Sequence, residues 1–147
     1  MSTRSYICVE NENKTYSSIY CHEGGYPEHN GVILALFYMN RDKVNELIQL
    51  GDLSVLYKNV HPDKTYPHSF NFMNRQKDVC VFFGRDRGDE NVCAKDRTLK
   101  ELDADFMMDY CYIFGLDNKW YYFSIGELDK TGLIELNYEK IVELLNK

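Results

Sequence analysis

The sequence of 147 residues contains no paired CxxC motif, no GK[ST] phosphate loop and no GxGxxG fingerprint, so the zinc, nucleotide and dinucleotide folds that announce themselves by motif are not indicated. It also lacks an apolar run approaching the ~20 residues of a membrane-spanning helix, and no basic-then-apolar leader follows Met1. Cysteine occurs five times, at Cys8, Cys21, Cys80, Cys93 and Cys111. An odd number argues against an exported disulfide scaffold, so reduced thiols and a cytoplasmic location are expected. Positive charge is in deficit: 17 Lys and Arg against 23 Asp and Glu leave a formal charge of -6. That balance disfavours a general grip on phosphate backbone and suits a basic protein partner. Tandem repeats, low-complexity tails and interdomain linkers are missing too, and the length suits a single compact domain over residues 1–147.

What is present is aromatic and apolar residue in regular patterns, with twelve Tyr and eight Phe. "RSYICVE" and "TYSSIYCH" alternate around the polar turn "NENK" and predict a hairpin over Tyr6–Glu10 and Thr15–Cys21, with Glu10 opposite Thr15. "DVCVFFG" predicts a covered central strand over Val79–Phe83, apolar on both faces. "DYCYIFG" and "KWYYFSI" flank "LDN" and predict a second hairpin, Tyr110–Phe114 with Trp120–Ser124. Three helical regions carry caps. Asn40 precedes a stripe of Val44, Leu47 and Ile48 that Gly51 ends. Thr98 and Glu101 make a capping box ahead of Leu99, Leu102 and Phe106, and Asn137 precedes Ile141, Leu144 and Leu145, with Leu136 and Ile141 placed as a hydrophobic staple. "VILALFYM" reads as a further helix, "GDLSVLY" as a short turn or helix, Lys58–Arg75 as a long loop and "RDRGDEN" as an exposed turn. The expected fold is α+β, a mostly antiparallel sheet of about five strands with packed helices.

The stretch "YCHEGGYPEHNG" concentrates the residues that could do chemistry. Cys21, His22 and His29 invite zinc, yet neighbours on a strand point to opposite faces. In the expected register Cys8 lies opposite Ser17, roughly 13 Å along the strand from Cys21. No structural metal and no cofactor are expected. Cys21 with His29, or Cys111 with His68, would be the core of a small cysteine/histidine-dependent hydrolase. Cys111 between aromatic neighbours reads more simply as a small buried hydrophobe, and Glu28 as a charge favourable to a helix N-terminus. Gly24-Gly25 can form a tight turn that Tyr26-Pro27 stiffens, so the stretch reads as a junction and no catalytic residue is assigned. The rings of "KWYYF" could stack bases, but Arg75, Arg85, Arg87 and Arg97 are interleaved with Asp86, Asp89 and Asp96. Aromatic core packing is favoured, and direct nucleic-acid binding is disfavoured. The preferred function is a non-enzymatic interaction protein, with Tyr26, His29, Tyr66, His68, Arg85 and Asp86 as surface candidates because they fall in predicted loops or junctions. The hydrolase is the alternative, along with a nucleic-acid or small-ligand binding module.

"IYCHEGGYPEHNGVIL", the following "RDKVNELIQLGDLSVL" and the later "YCYIFGLDNKWYYF" together resemble a family of small accessory proteins from bacteriophages, prophages and mobile elements of Gram-positive bacteria. The motif around Tyr20, Cys21, His22, Gly25, Tyr26, Pro27, Glu28 and Gly31 carries most of that resemblance. It implies an accessory protein of a bacterial host cell that binds and modulates or inhibits a host protein, a bacterial defence (CRISPR) effector being one candidate. It carries no family chemistry onto any residue here.

Overall fold

Alternation in the first 21 residues builds the expected hairpin, β1 (Ser5–Glu10) and β2 (Tyr16–Cys21), in a computed structural model that describes residues 2–147. Its register is one residue away from the expectation. Glu10 pairs with Tyr16, and Cys8 with Ser18 rather than Ser17. The turn keeps Thr15 for itself: the Asn11 N–H donates to the Thr15 carbonyl, the Thr15 hydroxyl donates to Asn13 Oδ1, and Lys14 adopts a left-handed φ of 66°. A slip of one residue moves a side chain to the other face of the sheet relative to its partners. Cys8 therefore lies on the face opposite Cys21, against Cys111 with 3.7 Å between the sulfurs.

The α+β reading holds, with eight strands instead of five. β3 (Leu53–Val55), β4 (Val81–Phe82), β5 (Lys95–Arg97), β6 (Tyr110–Phe114), β7 (Trp120–Ser124) and β8 (Ile134–Glu135) join the first pair in the order β4-β3-β2-β1-β6-β7-β8, and β5 also pairs with β2. The sheet is mixed: β1–β6 and β2–β3 are parallel and the other pairs antiparallel. "GDLSVLY" is thus a strand at Leu53–Val55, not a turn or helix, and three residues are too few to show a period. The expected central strand Val79–Phe83 is cut to Val81–Phe82 because Phe83 opens a helix, α3 (Phe83–Arg87), and the strand lies at the edge of the sheet, covered by the neighbouring loop and helix rather than by flanking strands. That helix replaces the expected exposed turn at "RDR", and it ends where Gly88 takes φ of 80°.

Two cores sit on opposite faces of the sheet. Ile7, Val9, Ile19, Tyr112, Phe114, Trp120 and Tyr122 pack beneath α1 (Val32–Phe37), α2 (Arg41–Gln49) and α6 (Tyr138–Leu145). Tyr6, Cys8, Tyr16, Cys111, Ile113 and Phe123 pack with Leu102 of α4 (Leu99–Asp103), flanked by Leu128 of α5 (Leu128–Thr131). The rings of Trp120, Tyr122 and Phe123 are consumed by these cores and offer no stacking platform for bases. Asn40, Thr98 and Asn137 cap α2, α4 and α6 as the sequence predicts. Two apolar positions fail the pattern. Leu145 points outward because Leu144 takes the buried position on α6, and Phe106 lies past the end of α4, in the solvent. No helix among the described residues is long and apolar enough to cross a membrane.

Candidate interaction surface

The segment Tyr20–Gly31 is held by polar groups that its own backbone needs. Gly24 has φ of 69°, and a Cβ there would fall 2.5 Å from the His29 ring; one on Gly25 would lie 2.8 Å from the Thr3 carbonyl. Both positions therefore require glycine. Pro27 then starts a π-helical turn, Pro27–Gly31, that runs into α1. Asn30 is fully buried in that turn. Its amide donates to Ser5 Oγ at 3.1 Å and to Cys21 Sγ at 3.5 Å, and its Oδ1 accepts from His29 Nδ1 at 2.9 Å. Cys21 and His29 are thus each bonded to Asn30, which stands between them. Burial pushes the Cys21 thiol up to about 12, so it stays a thiol that donates to the Glu23 carbonyl. His22 is engaged by the Tyr20 hydroxyl. No group of three or more His, Cys, Asp or Glu among the described residues is arranged to hold a metal ion.

The other buried thiols are equally occupied. Cys80 lies between the Tyr38 hydroxyl and Tyr57 backbone groups, and Cys111 against Cys8; burial raises both. Cys93 is exposed, whereas the other four are buried. A thiol-specific disulfide reagent at neutral pH should therefore modify Cys93 alone in the native protein, and all five cysteines in denaturant. Rapid native modification of Cys21 or Cys111 would restore a nucleophilic role to that residue.

His68, Arg85 and Asp86 are not the surface residues that their place in predicted loops suggests. The side chains of His68 and Asp86 are 2% and 5% exposed, and Arg85 is mostly covered. Asp86 Oδ2 accepts the Phe82 N–H at 2.8 Å, while Arg85 Nε donates to Asp86 Oδ1 at 2.9 Å. The same guanidinium donates to the carbonyls of Val60 and Cys80, so it ties the start of the long loop to the strand it returns to. His68 Nδ1 accepts the Gln76 N–H at 3.0 Å, which places the ring proton on Nε2, 3.6 Å from Asp86 Oδ2. A catalytic His–Asp pair needs its second ring nitrogen free for the substrate proton. Here Gln76 holds it, and the group is an anchor.

That anchor fixes the loop over residues 58–77 as a shaped platform. The Gln76 side chain accepts the Asp63 N–H and donates to the Asp63 and Tyr66 carbonyls. The Ser69 N–H donates to the Asn74 carbonyl, the Phe70 N–H to the Asp86 carbonyl, and Arg75 Nε to the Phe70 carbonyl. At its tip Asn71 caps a short 3₁₀ turn, Phe72–Asn74, that leaves Phe72 and Met73 81% and 84% exposed. Tyr66 is exposed on the same loop. Phe72, Tyr57 and Val79 line a cleft of about 370 Å³, together with Arg75, Lys77 and Asp78. The Tyr57 ring also meets the His29 ring edge-on at 5.9 Å, and His29 meets Tyr26 at 6.0 Å.

Folding thus joins Tyr26 and His29 to the cleft beside the loop through Tyr57, making one aromatic strip from distant parts of the chain. Sequence reasoning missed Tyr57, Phe72 and Met73. The signal available for the last two was "FNFM", large apolar side chains without a period inside a loop rich in Pro, His and Asn. Residues 58–78 carry Lys58, Lys64, Arg75 and Lys77 against Asp63 and Asp78, so this platform is cationic within an acidic protein.

An α+β domain with a mixed sheet and an ordered, apolar-tipped loop is what the geometry defines. No family model, curated protein or solved structure matches the chain.

Proposed function

We propose that the chain is a non-enzymatic interaction domain that binds a host protein through the strip formed by Tyr26, His29, Tyr57, Phe72 and Met73. The observation that carries this reading is the exposure of Phe72 and Met73 on a loop whose base is locked by Gln76, Arg85 and Asp86. Exposed apolar anchors on an already ordered loop lose little conformational entropy on binding, and such anchors dominate interface energies. The excess of Lys and Arg over Asp in residues 58–78 suits a partner face that surrounds an apolar pocket with carboxylates. That the partner belongs to a bacterial defence system, a CRISPR effector included, is part of the proposal and rests on the sequence resemblance. A hydrolase is less well supported, since every buried thiol and His68 Nδ1 are already bonded to structural partners.

Affinity capture from a Gram-positive bacterial lysate, followed by titration of the purified partner, tests the proposal. Phe72→Ser should leave stability within about 0.5 kcal/mol and lower affinity for that partner at least about tenfold. Unchanged affinity in both Phe72→Ser and Met73→Ser would remove the strip from the interface. Turnover of a small ester or amide that is lost on replacing one cysteine in a folded variant would favour the hydrolase.

A further inference from the structure

A second exposed apolar pair is flanked by carboxylates. After α4 the chain turns through residues 104–109 before entering β6, and carboxylates fix that turn. Asp103 Oδ1 accepts the Gly126 N–H at 2.7 Å, Asp105 accepts the Tyr6 hydroxyl and the Met107 N–H, and Asp109 Oδ2 accepts the Arg4 N–H at 3.0 Å. The locked turn holds Phe106 and Met107 outward, 79% and 69% exposed. Phe106 lies over Gly126, where a Cβ would come within 3.0 Å of its ring, so the absence of a side chain at 126 forms the floor of a groove. The groove lies between α4 and α5, measures about 490 Å³, and has Ala104 and Leu128 as walls with Asp103 and Asp129 on its rim.

The charges around the groove select its occupant. Among the described residues, none of Asp103, Asp105, Asp109 and Asp129 has a cationic side-chain nitrogen within 4.0 Å. Lys100 is the single cation in the lining. Each carboxylate that braces the turn accepts from neutral donors and makes no ion pair, with Arg4 beside Asp109 and Arg97 over the Tyr6 ring as the neighbouring cations. Nucleic acid and anionic lipid are repelled from such a rim, and so is the same patch of a second copy.

We propose that this groove docks a cationic segment of a partner protein, an apolar side chain entering against Phe106 and Leu128 while flanking Lys or Arg residues meet Asp103 and Asp129. The proposal rests on the reading of the chain as an interaction domain and gives its acidic side a separate binding role. The segment's apolar residue supplies the anchor, and its charges supply orientation and a faster approach.

A fluorescently labelled short peptide with one central Leu flanked on both sides by Lys and Arg is the probe, titrated against the full chain. Saturable binding is expected, weakened at about 0.5 M salt as screening removes the rim's attraction. Replacing the central Leu with Ser, or the protein's Phe106 with Ser, should each lower affinity about tenfold, and Asp129→Lys by about three- to tenfold. Phe106→Ser should keep the parent's thermal midpoint, because the ring is exposed. Phe72→Ser should bind the peptide as the parent does, which separates this groove from the loop surface: loss of peptide binding alone sinks the groove and leaves the loop proposal standing. The inference is overturned if the cationic peptide does not saturate, if a Glu-flanked version binds as well, or if Phe106→Ser has no effect. It is also overturned if Phe106→Ser abolishes a concentration-dependent self-association, since the occupant is then a second copy carrying its own cationic loop.

Discussion

Asp86→Ala is expected to lower the unfolding free energy by roughly 3–5 kcal/mol, the range for breaking one side of a buried ion pair. Two groups lose a hydrogen-bond partner at once, the Arg85 guanidinium and the Phe82 N–H, and the buried His68 Nε2 loses the carboxylate 3.6 Å away. Arg85 is held at the spot by the Val60 and Cys80 carbonyls, so it cannot swing into water without giving those up as well. Urea melts followed by far-ultraviolet circular dichroism measure the loss. Asp86→Asn keeps an acceptor for the Phe82 N–H and should recover part of it. Limited proteolysis supplies the local readout, with faster cleavage within residues 58–77 in the alanine variant. A loss below about 1 kcal/mol, the range of an exposed pair, would mean that Arg85 is solvated and that the loop is braced by Gln76 alone.

Trp120→Ala should cost a similar amount, about 3–5 kcal/mol. The indole is buried and packs on Phe114 at 5.1 Å between centroids. Its Nε1 donates to the Tyr38 carbonyl at 2.8 Å, at the residue that ends α1. The Tyr38 hydroxyl donates in turn to the Tyr57 carbonyl, so β7, the end of α1 and the aromatic strip are linked through two side chains. Trp120→Phe retains much of the packing and leaves the Tyr38 carbonyl unpaired, and it should cost about 1–3 kcal/mol. This is the single tryptophan, so its own fluorescence disappears and the comparison is made by circular dichroism. Equal stability of the phenylalanine variant and the parent would show that the indole N–H contributes nothing net.

The two hairpins, the three helix caps and the α+β class were legible because each rests on neighbours in the chain. The β6–β7 hairpin shows its "LDN" turn directly, with Asn118 in the left-handed region at φ of 62° and the Gly115 N–H bonded to the Lys119 carbonyl. The β1–β2 pairing was legible but its register was not, since "NENK" has no dipeptide that dictates a turn type. Thr15 was recruited into the turn by Asn13, and that choice sent Cys8 and Cys21 to opposite faces. β3, β5 and β8 have three residues or fewer, and strands that short exist through their partners.

Of the candidate surface, Tyr26 and Tyr66 are exposed where loop chemistry placed them, and His29 is partly covered. His68, Arg85 and Asp86 became an internal anchor because α3 turns Arg85 and Asp86 inward, where they bond each other and the backbone of the loop and strand. Elements with local signals could be read before any folding: alternation along a strand, a capping oxygen three residues from its N–H, a glycine where no side chain fits. Tertiary structure alone decided the one-residue register of the first hairpin, the burial of the His68–Asp86–Arg85 group, the aromatic strip through Tyr57 and the groove between α4 and α5. Each of these depends on residues far apart in the chain competing for the same hydrogen bonds and the same buried space, and that competition is settled when the whole sheet closes over its two cores.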